Sequence, residues 1–137
     1  MMNERKAISI APAMKHSARV PQSYGLYRIA MSDLVACWKR RAKLDRPGVK
    51  YVEPGEELVA GKRAKFEKFV EKRTVGIVAP WVLFVPYPHG LTAKFLNGRH
   101  RTAVLRDAGA EYINVQTDRK SVKNAAAAGV VLTPVVD

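Results

Sequence analysis

Residues Phe95 to Val115 read FLNGRHRTAVLRDAGAEYINV, and the order of glycines and apolar residues in this stretch decides the fold. Leu91 to Leu96 has the β-rich composition of a strand, and Asn97-Gly98 ends it. Arg101 to Ala108 then places Ala103, Val104, Leu105 and Ala108 at helical spacing, with Gly109 where a left-handed stop belongs. Glu111 to Thr117 supplies the next strand. The turn between the first strand and the helix is Asn97-Gly98-Arg99-His100-Arg101. Glycine lets backbone approach a ligand closely, the amides of a helix start point at it, and three basic side chains surround the spot, a combination suited to phosphate. A basic turn without a ligand has the same composition, and spacing alone leaves both readings open.

Upstream, Trp81 to Val85 is apolar and β-branched, as is Val75 to Val78, and Pro86 to Gly90 reads as the turn of a hairpin. Lys62 to Arg73, opened by Gly61, has Phe66, Phe69 and Val70 at helical spacing, and the segment from Val49 to Ala60, with Pro54-Gly55 and Glu56-Glu57, reads as loop. Tyr24 to Ala30 alternates as a strand. Ser32 is the expected cap of a helix from Asp33, with Leu34, Val35, Trp38 and Ala42 on one stripe and Lys39, Arg40, Arg41 and Lys43 outside it, ending before Pro47-Gly48. Downstream, Asp118 to Ala128 is a last helix and Val130 to Asp137 a hydrophobic tail. The expected class is α+β, a small mixed β-sheet with flanking helices. The expected organisation is a single domain over 1–137, with a basic extended arm at 1–22, a core at 23–117 and a C-terminal helix and tail at 118–137.

The chain has 137 residues, with 24 Lys and Arg against 12 Asp and Glu, a formal charge of +12. Residues 1 to 50 carry 11 Lys or Arg against Glu4, Asp33 and Asp45, a net +8, and no acidic residue occurs from Val75 to Ala103. Such an excess attracts polyanions at long range, so nucleic acid or nucleotide phosphate is the expected partner, with Lys39, Arg40, Arg41 and Lys43 as candidate nucleic-acid ligands. The longest apolar run, Gly76 to Pro86, is too short for a membrane span, which takes about 20 residues. Met1 to Ala18 lacks the continuous apolar core of a signal peptide, so the expected compartment is the cytoplasm and no membrane insertion is expected. A single cysteine, Cys37, excludes an internal disulfide and a multi-cysteine zinc site.

The Phe95 to Val115 run resembles the signature of the ParB/sulfiredoxin superfamily, in which a strand leads into G-x-x-R, a short alanine-rich helix, a glycine and a strand. Gly98 and Arg101 fill the two defining positions. Within that superfamily the chain is most similar to the Osa-like plasmid fertility inhibition factors. These share a Pro-Gly loop (here Pro54-Gly55), a Gly-x-Arg opening to a helix with phenylalanine (Gly61-Lys62-Arg63, Phe66) and the Asn-Gly-Arg-His-Arg turn. The resemblance implies action in a donor cell against DNA transfer through a type IV secretion apparatus, with nucleotide hydrolysis and DNA cleavage. Two relatives are excluded. Sulfiredoxins carry their cysteine where this chain has Arg99, and partition proteins need further domains, yet only 20 residues follow Thr117.

Arg101 is the first candidate phosphate ligand, because a guanidinium fork matches phosphate oxygens and the family position falls on it. Asn97, Gly98, Arg99 and His100 complete the turn, and Lys62 and Arg63 are candidates to close the site from another helix start or else form a solvated face. His100 reads equally as a proton donor to a leaving group or as a packing residue at a helix start. Glu56 or Glu57 is the candidate for water activation or magnesium in a nucleoside triphosphate site, ATP being the expected nucleotide, although an acidic Pro-Gly loop has an ordinary structural use as well. No residue is assigned as a resident metal ligand, since no dense carboxylate cluster is present. Trp81, Phe84 and Tyr87 read as core or hairpin aromatics, with base stacking a second use for Tyr87.

Two functions follow. The first is a nucleotide- and DNA-interacting protein, an ATPase or nuclease acting against conjugative transfer. The second is a non-enzymatic basic module that holds nucleic acid or blocks an acidic partner in the secretion machinery. A small-molecule kinase is a third reading, implied only by superfamily members of that activity.

Overall fold

The structure, a computed structural model, describes residues 14–15, 24–44, 51–54 and 77–135. Its elements in chain order are β1 (Met14–Lys15), β2 (Gly25–Ala30), α1 (Met31–Leu44), β3 (Ile77–Val78), β4 (Trp81–Tyr87) and β5 (Gly90–Asn97). They continue with α2 (Arg99–Asp107), β6 (Tyr112–Thr117), α3 (Arg119–Ala127) and β7 (Thr133–Pro134). Five strands form one mixed sheet in the order β5-β4-β6-β2-β7, and β1 pairs in parallel with β3 as a separate two-stranded ladder. The chain is thus α+β, with a small mixed sheet and flanking helices. The expected helix Lys62 to Arg73 and most of the arm at 1–22 lie outside the described residues.

The sheet is organised around β6, whose residues Ile113 to Thr117 are all buried. It pairs antiparallel with the whole of β2 and meets β4 in parallel through a single bridge, Trp81 with Gln116. That bridge is reinforced twice: the Gln116 amide donates to the Pro80 carbonyl at 2.8 Å, and the buried Gln116 Nε2 donates to the Ala79 carbonyl at 2.7 Å. A parallel step needs a crossover, and here β5 and α2 supply it.

The hairpin turn is tighter than Pro86 to Gly90: β4 runs through Pro86 to Tyr87, and Pro88-His89 alone forms the loop. Residues flanking a two-residue loop form a hydrogen-bonded pair, so the next pair, Pro86 with Leu91, does not bond across the hairpin. Proline is tolerated there because its missing donor would have pointed away from β5. By the same alternation the backbone of Phe84 also points away from β5, toward the place β6 has already left. Two side chains of α3 take over: the Phe84 amide donates to Ser121 Oγ at 2.9 Å, and Asn124 Nδ2 donates to the Phe84 carbonyl at 2.9 Å. One turn apart, these residues act as a substitute strand edge. Ser121→Ala is therefore expected to lower the unfolding free energy by about 1 to 3 kcal/mol, the cost of a buried amide left unpaired. Urea denaturation checks this, and an unchanged midpoint would show that the helix does not serve the strand.

α1 opens directly off β2. The Met31 amide donates to the Glu111 carbonyl at 2.7 Å, continuing the strand pairing. The helix therefore begins at Met31 and Ser32 lies within its first turn, exposed, so the serine cap expected before Asp33 is not the start. Met31, Leu34, Cys37 and Trp38 are buried against the sheet face formed by Val82, Phe84, Leu91, Ala93 and Phe95, while Val35 and Ala42 of the expected stripe are half-buried. Trp38 stacks at 4.6 Å from the Phe95 ring and edge-on at 4.7 Å from Tyr51. Cys37 is a core residue, as its place beside Trp38 suggests, and burial pushes its thiol pKa up while neighbouring Arg40 partly offsets that.

At the C-terminal end the Asp118 side chain caps α3 by accepting from the Ser121 amide at 2.8 Å. The tail beyond Gly129 contributes β7, whose Pro134 and Thr133 pair with Tyr27 and Arg28 of β2.

Candidate phosphate-binding turn

β5 reaches the turn through an irregularity. Trp81 pairs with Asn97 and Val82 with Phe95, so Leu96 is an extra residue, a bulge that leaves its side chain exposed. Gly98 follows as the N-cap of α2 with φ +94° and ψ 13°, in the left-handed region. A Cβ at this position would lie 2.6 Å from Pro80 Cβ and 2.7 Å from Pro80 Cα. Glycine is required twice over, by torsion and by the packing of the turn against the residue preceding β4. The Gly98 carbonyl accepts from both the Thr102 amide at 3.0 Å and Thr102 Oγ1 at 2.9 Å, which locks the first turn.

The helix begins at Arg99, two residues before the start expected at Arg101. Arg99, His100 and Arg101 consequently occupy the first turn itself rather than a loop in front of it. This turn has no side-chain cap and no acidic residue. Cations there oppose the helix dipole, whose N-terminal end favours anions by about 0.3 to 1 kcal/mol each. The Arg101 guanidinium folds back onto the turn, where Nη2 donates to Asn97 Oδ1 and lies 2.8 Å from where a Gly98 Cβ would be. Burial holds its pKa below the ordinary arginine value. Arg99 is half-buried. His100 is buried, 9% exposed.

Among the described residues the turn thus brings together Asn97, Gly98, Arg99, the buried His100 and Arg101. Glu56, Glu57, Lys62 and Arg63 lie outside the described residues. Among the described residues no group of three His, Cys, Asp or Glu is placed to hold a metal ion.

The four basic residues of α1 do not form one uniform stripe. Arg40 Nη1 donates to the Leu91 carbonyl at 2.6 Å and Arg41 Nη1 to Tyr87 Oη at 3.2 Å, both at the hairpin tip. The Lys39 ammonium sits 5.3 Å from the Tyr51 ring, and Lys43 is exposed.

Arg106, at the far end of α2, is a residue that sequence reasoning missed. Its Nη1 donates to Tyr51 Oη at 2.8 Å and to the Val52 carbonyl at 2.6 Å, and its Nε to Asp107 at 2.8 Å. The guanidinium also lies 5.2 Å from the Tyr51 ring and 6.0 Å from Trp38. It ties α2 to α1 and to the segment leading into the acidic Pro-Gly loop. Nothing in a helical pattern marks such a residue, because its partners are distant in the chain.

No family model and no curated protein matches the sequence. Among solved structures, the oncogenic suppression activity protein, a plasmid fertility inhibition factor solved as a gold(I) cyanide derivative, superposes with a TM-score of 0.63 at 13% sequence identity. The fold is similar to that of the oncogenic suppression activity protein. The match covers 86% of this chain and 63% of the oncogenic suppression activity protein. At that identity the fertility inhibition factor shares architecture with this chain, and what the turn does here must be argued from its own residues. Among the described residues no helix is long and apolar enough to cross a membrane.

Proposed function

We propose that this chain is a fertility inhibition factor of the ParB/sulfiredoxin superfamily, which acts in the cytoplasm of a donor cell, binds a nucleoside triphosphate at the β5–α2 turn and meets nucleic acid with the basic face of α1. The observation that carries the reading is the first turn of α2: a left-handed glycine, no cap, no acid, and Arg99 and Arg101 where a helix normally carries acids. An anion resolves that conflict. Phosphate oxygens would take the amides of the helix start and the Arg101 fork together, while the small Gly98 lets the group approach the backbone.

Hydrolysis of ATP or cleavage of DNA is what the resemblance to the Osa-like factors implies, and it would need Glu56 or Glu57 to reach phosphates bound at this turn. Magnesium would there neutralise phosphate charge, with the carboxylate as its protein ligand. The second reading keeps the binding and omits the turnover: a basic module that holds nucleic acid or blocks an acidic secretion-system protein. It is favoured by the way Arg40 and Arg41 are spent on ordering a basic surface around the hairpin tip.

Phosphate release from ATP in the presence of magnesium separates the two. Hydrolysis predicts a wild-type rate above background that falls by about two orders of magnitude in Arg101→Ala, the usual cost of losing one preorganised charge-stabilising donor. Equal background rates in both proteins, with salt-sensitive DNA binding retained, would leave the binding module.

A further inference from the structure

We propose that the tip of the β4–β5 hairpin, together with the C-terminal half of α1, is a stacking platform for single-stranded nucleic acid: Tyr87 takes a base, and Arg40 and Arg41 take the neighbouring phosphates. The inference rests on the reading that the basic face of α1 meets nucleic acid and names the form of nucleic acid and the residue that distinguishes it.

Tyr87 ends β4 and is 39% exposed, beside a loop, Pro88-His89, whose two residues are both exposed. A large ring at the tip of a hairpin is outside the core that Val82, Phe84 and Phe95 occupy. Its Oη accepts from Arg41, and the Arg41 guanidinium carbon lies 5.6 Å from the ring centre. Arg40 is held at the same tip by the Leu91 carbonyl, so close to Gly90 that a Cβ there would meet its Nε at 3.2 Å. Two long cationic side chains are therefore fixed before any ligand arrives. Surface arginines otherwise lose side-chain freedom on binding, and prior ordering removes that cost. Lys43 is exposed one turn beyond Lys39, on another side of the helix from Arg41, and the one acidic residue of α1, Asp33, lies in its first turn.

The chemistry selects a single strand. In a duplex the faces of the bases are covered by their neighbours, so an exposed ring beside a phosphate-binding arginine adds nothing. An unpaired base offers its face, and stacking of this kind tolerates any sequence.

Anisotropy titrations of the full chain with a labelled oligothymidylate and with a duplex of equal length, at several salt concentrations, test the proposal. Tyr87→Ala is expected to weaken single-strand binding by about tenfold, within the range of one lost base–aromatic stack, and to leave duplex binding unchanged within about twofold. Tyr87→Phe keeps the ring and is expected to stay within about threefold of wild type on the single strand. Arg41→Gln should reduce the salt slope by about one, as for one lost phosphate contact. Wild-type single-strand affinity in Tyr87→Ala, alongside weakened binding in Lys39→Gln/Arg41→Gln/Lys43→Gln, would overturn the platform and leave the nucleic-acid reading standing. An equal loss on duplex and single strand would also overturn it. A wild type that binds neither at low salt would overturn both.

Discussion

Gly98→Ala is expected to unfold at a clearly lower urea concentration than wild type, with a loss of roughly 2 to 5 kcal/mol. Two independent costs add. The first is the left-handed backbone at φ +94°, worth roughly 1 to 2 kcal/mol for any residue with a Cβ. The second is steric: the new methyl would sit 2.6 Å and 2.7 Å from two Pro80 atoms, one of them backbone, so the turn and the start of β4 must part. Gly129→Ala separates these costs within the same protein. Gly129 has φ +80° with nothing within 4 Å of the added carbon, so it should lose only the torsional share, roughly 1 to 2 kcal/mol. Equal losses at the two glycines would show that the Pro80 contact does not constrain the turn. Because Pro80 also carries the carbonyl that accepts from Gln116, displacing it should loosen the single parallel bridge of the sheet. Small domains have about 5 to 15 kcal/mol in total, so Gly98→Ala removes a large part of the stability together with the turn that is proposed to hold phosphate.

Trp38→Ala is the second large effect, a loss of about 3 to 5 kcal/mol on unfolding by urea. Trp38 is 1% exposed and joins Phe95 of the sheet, Tyr51 of the following segment and, through its ring face, Arg106 of α2. Truncation leaves a cavity at the point where three segments meet, and it deprives Arg106 of one of its two aromatic neighbours. Trp38→Phe supplies the contrast. Trp38 Nε1 is buried with no hydrogen-bond partner among the described residues, so phenylalanine removes an unsatisfied donor while keeping most of the ring. It should cost well under half as much as alanine. Equal losses in the two variants would mean that the indole is held by something other than ring packing.

Much of this architecture is legible in local chemistry. The β5–α2–β6 run is marked by Asn97-Gly98 and Gly109, which are local conformational requirements, and Gly98, Gly109 and Gly129 all adopt positive φ. The Asp118 cap is local too. Boundaries failed where a tertiary contact replaced the local signal. α1 begins at Met31 because the Glu111 carbonyl satisfies its amide, and α2 begins at Arg99 because Gly98 turns the chain into the helix without any side-chain cap. For the candidate site, the identity of the turn was readable from Gly98 and Arg101. The close approach of Pro80, the burial of His100 and the grip of Arg106 on Tyr51 and Val52 were not, since each joins residues with no periodic relation.

The amino-acid sequence by itself determined the class of fold, the glycine-marked turn with its basic residues and the positive charge, because each depends on neighbours a few positions apart or on composition. Only the tertiary structure decided the strand order, the use of Ser121 and Asn124 as a stand-in for a strand edge, and the division of the basic residues of α1 between the hairpin tip and Tyr51. Those outcomes depend on which buried backbone groups remain to be satisfied once the sheet has closed, and no local pattern encodes that remainder.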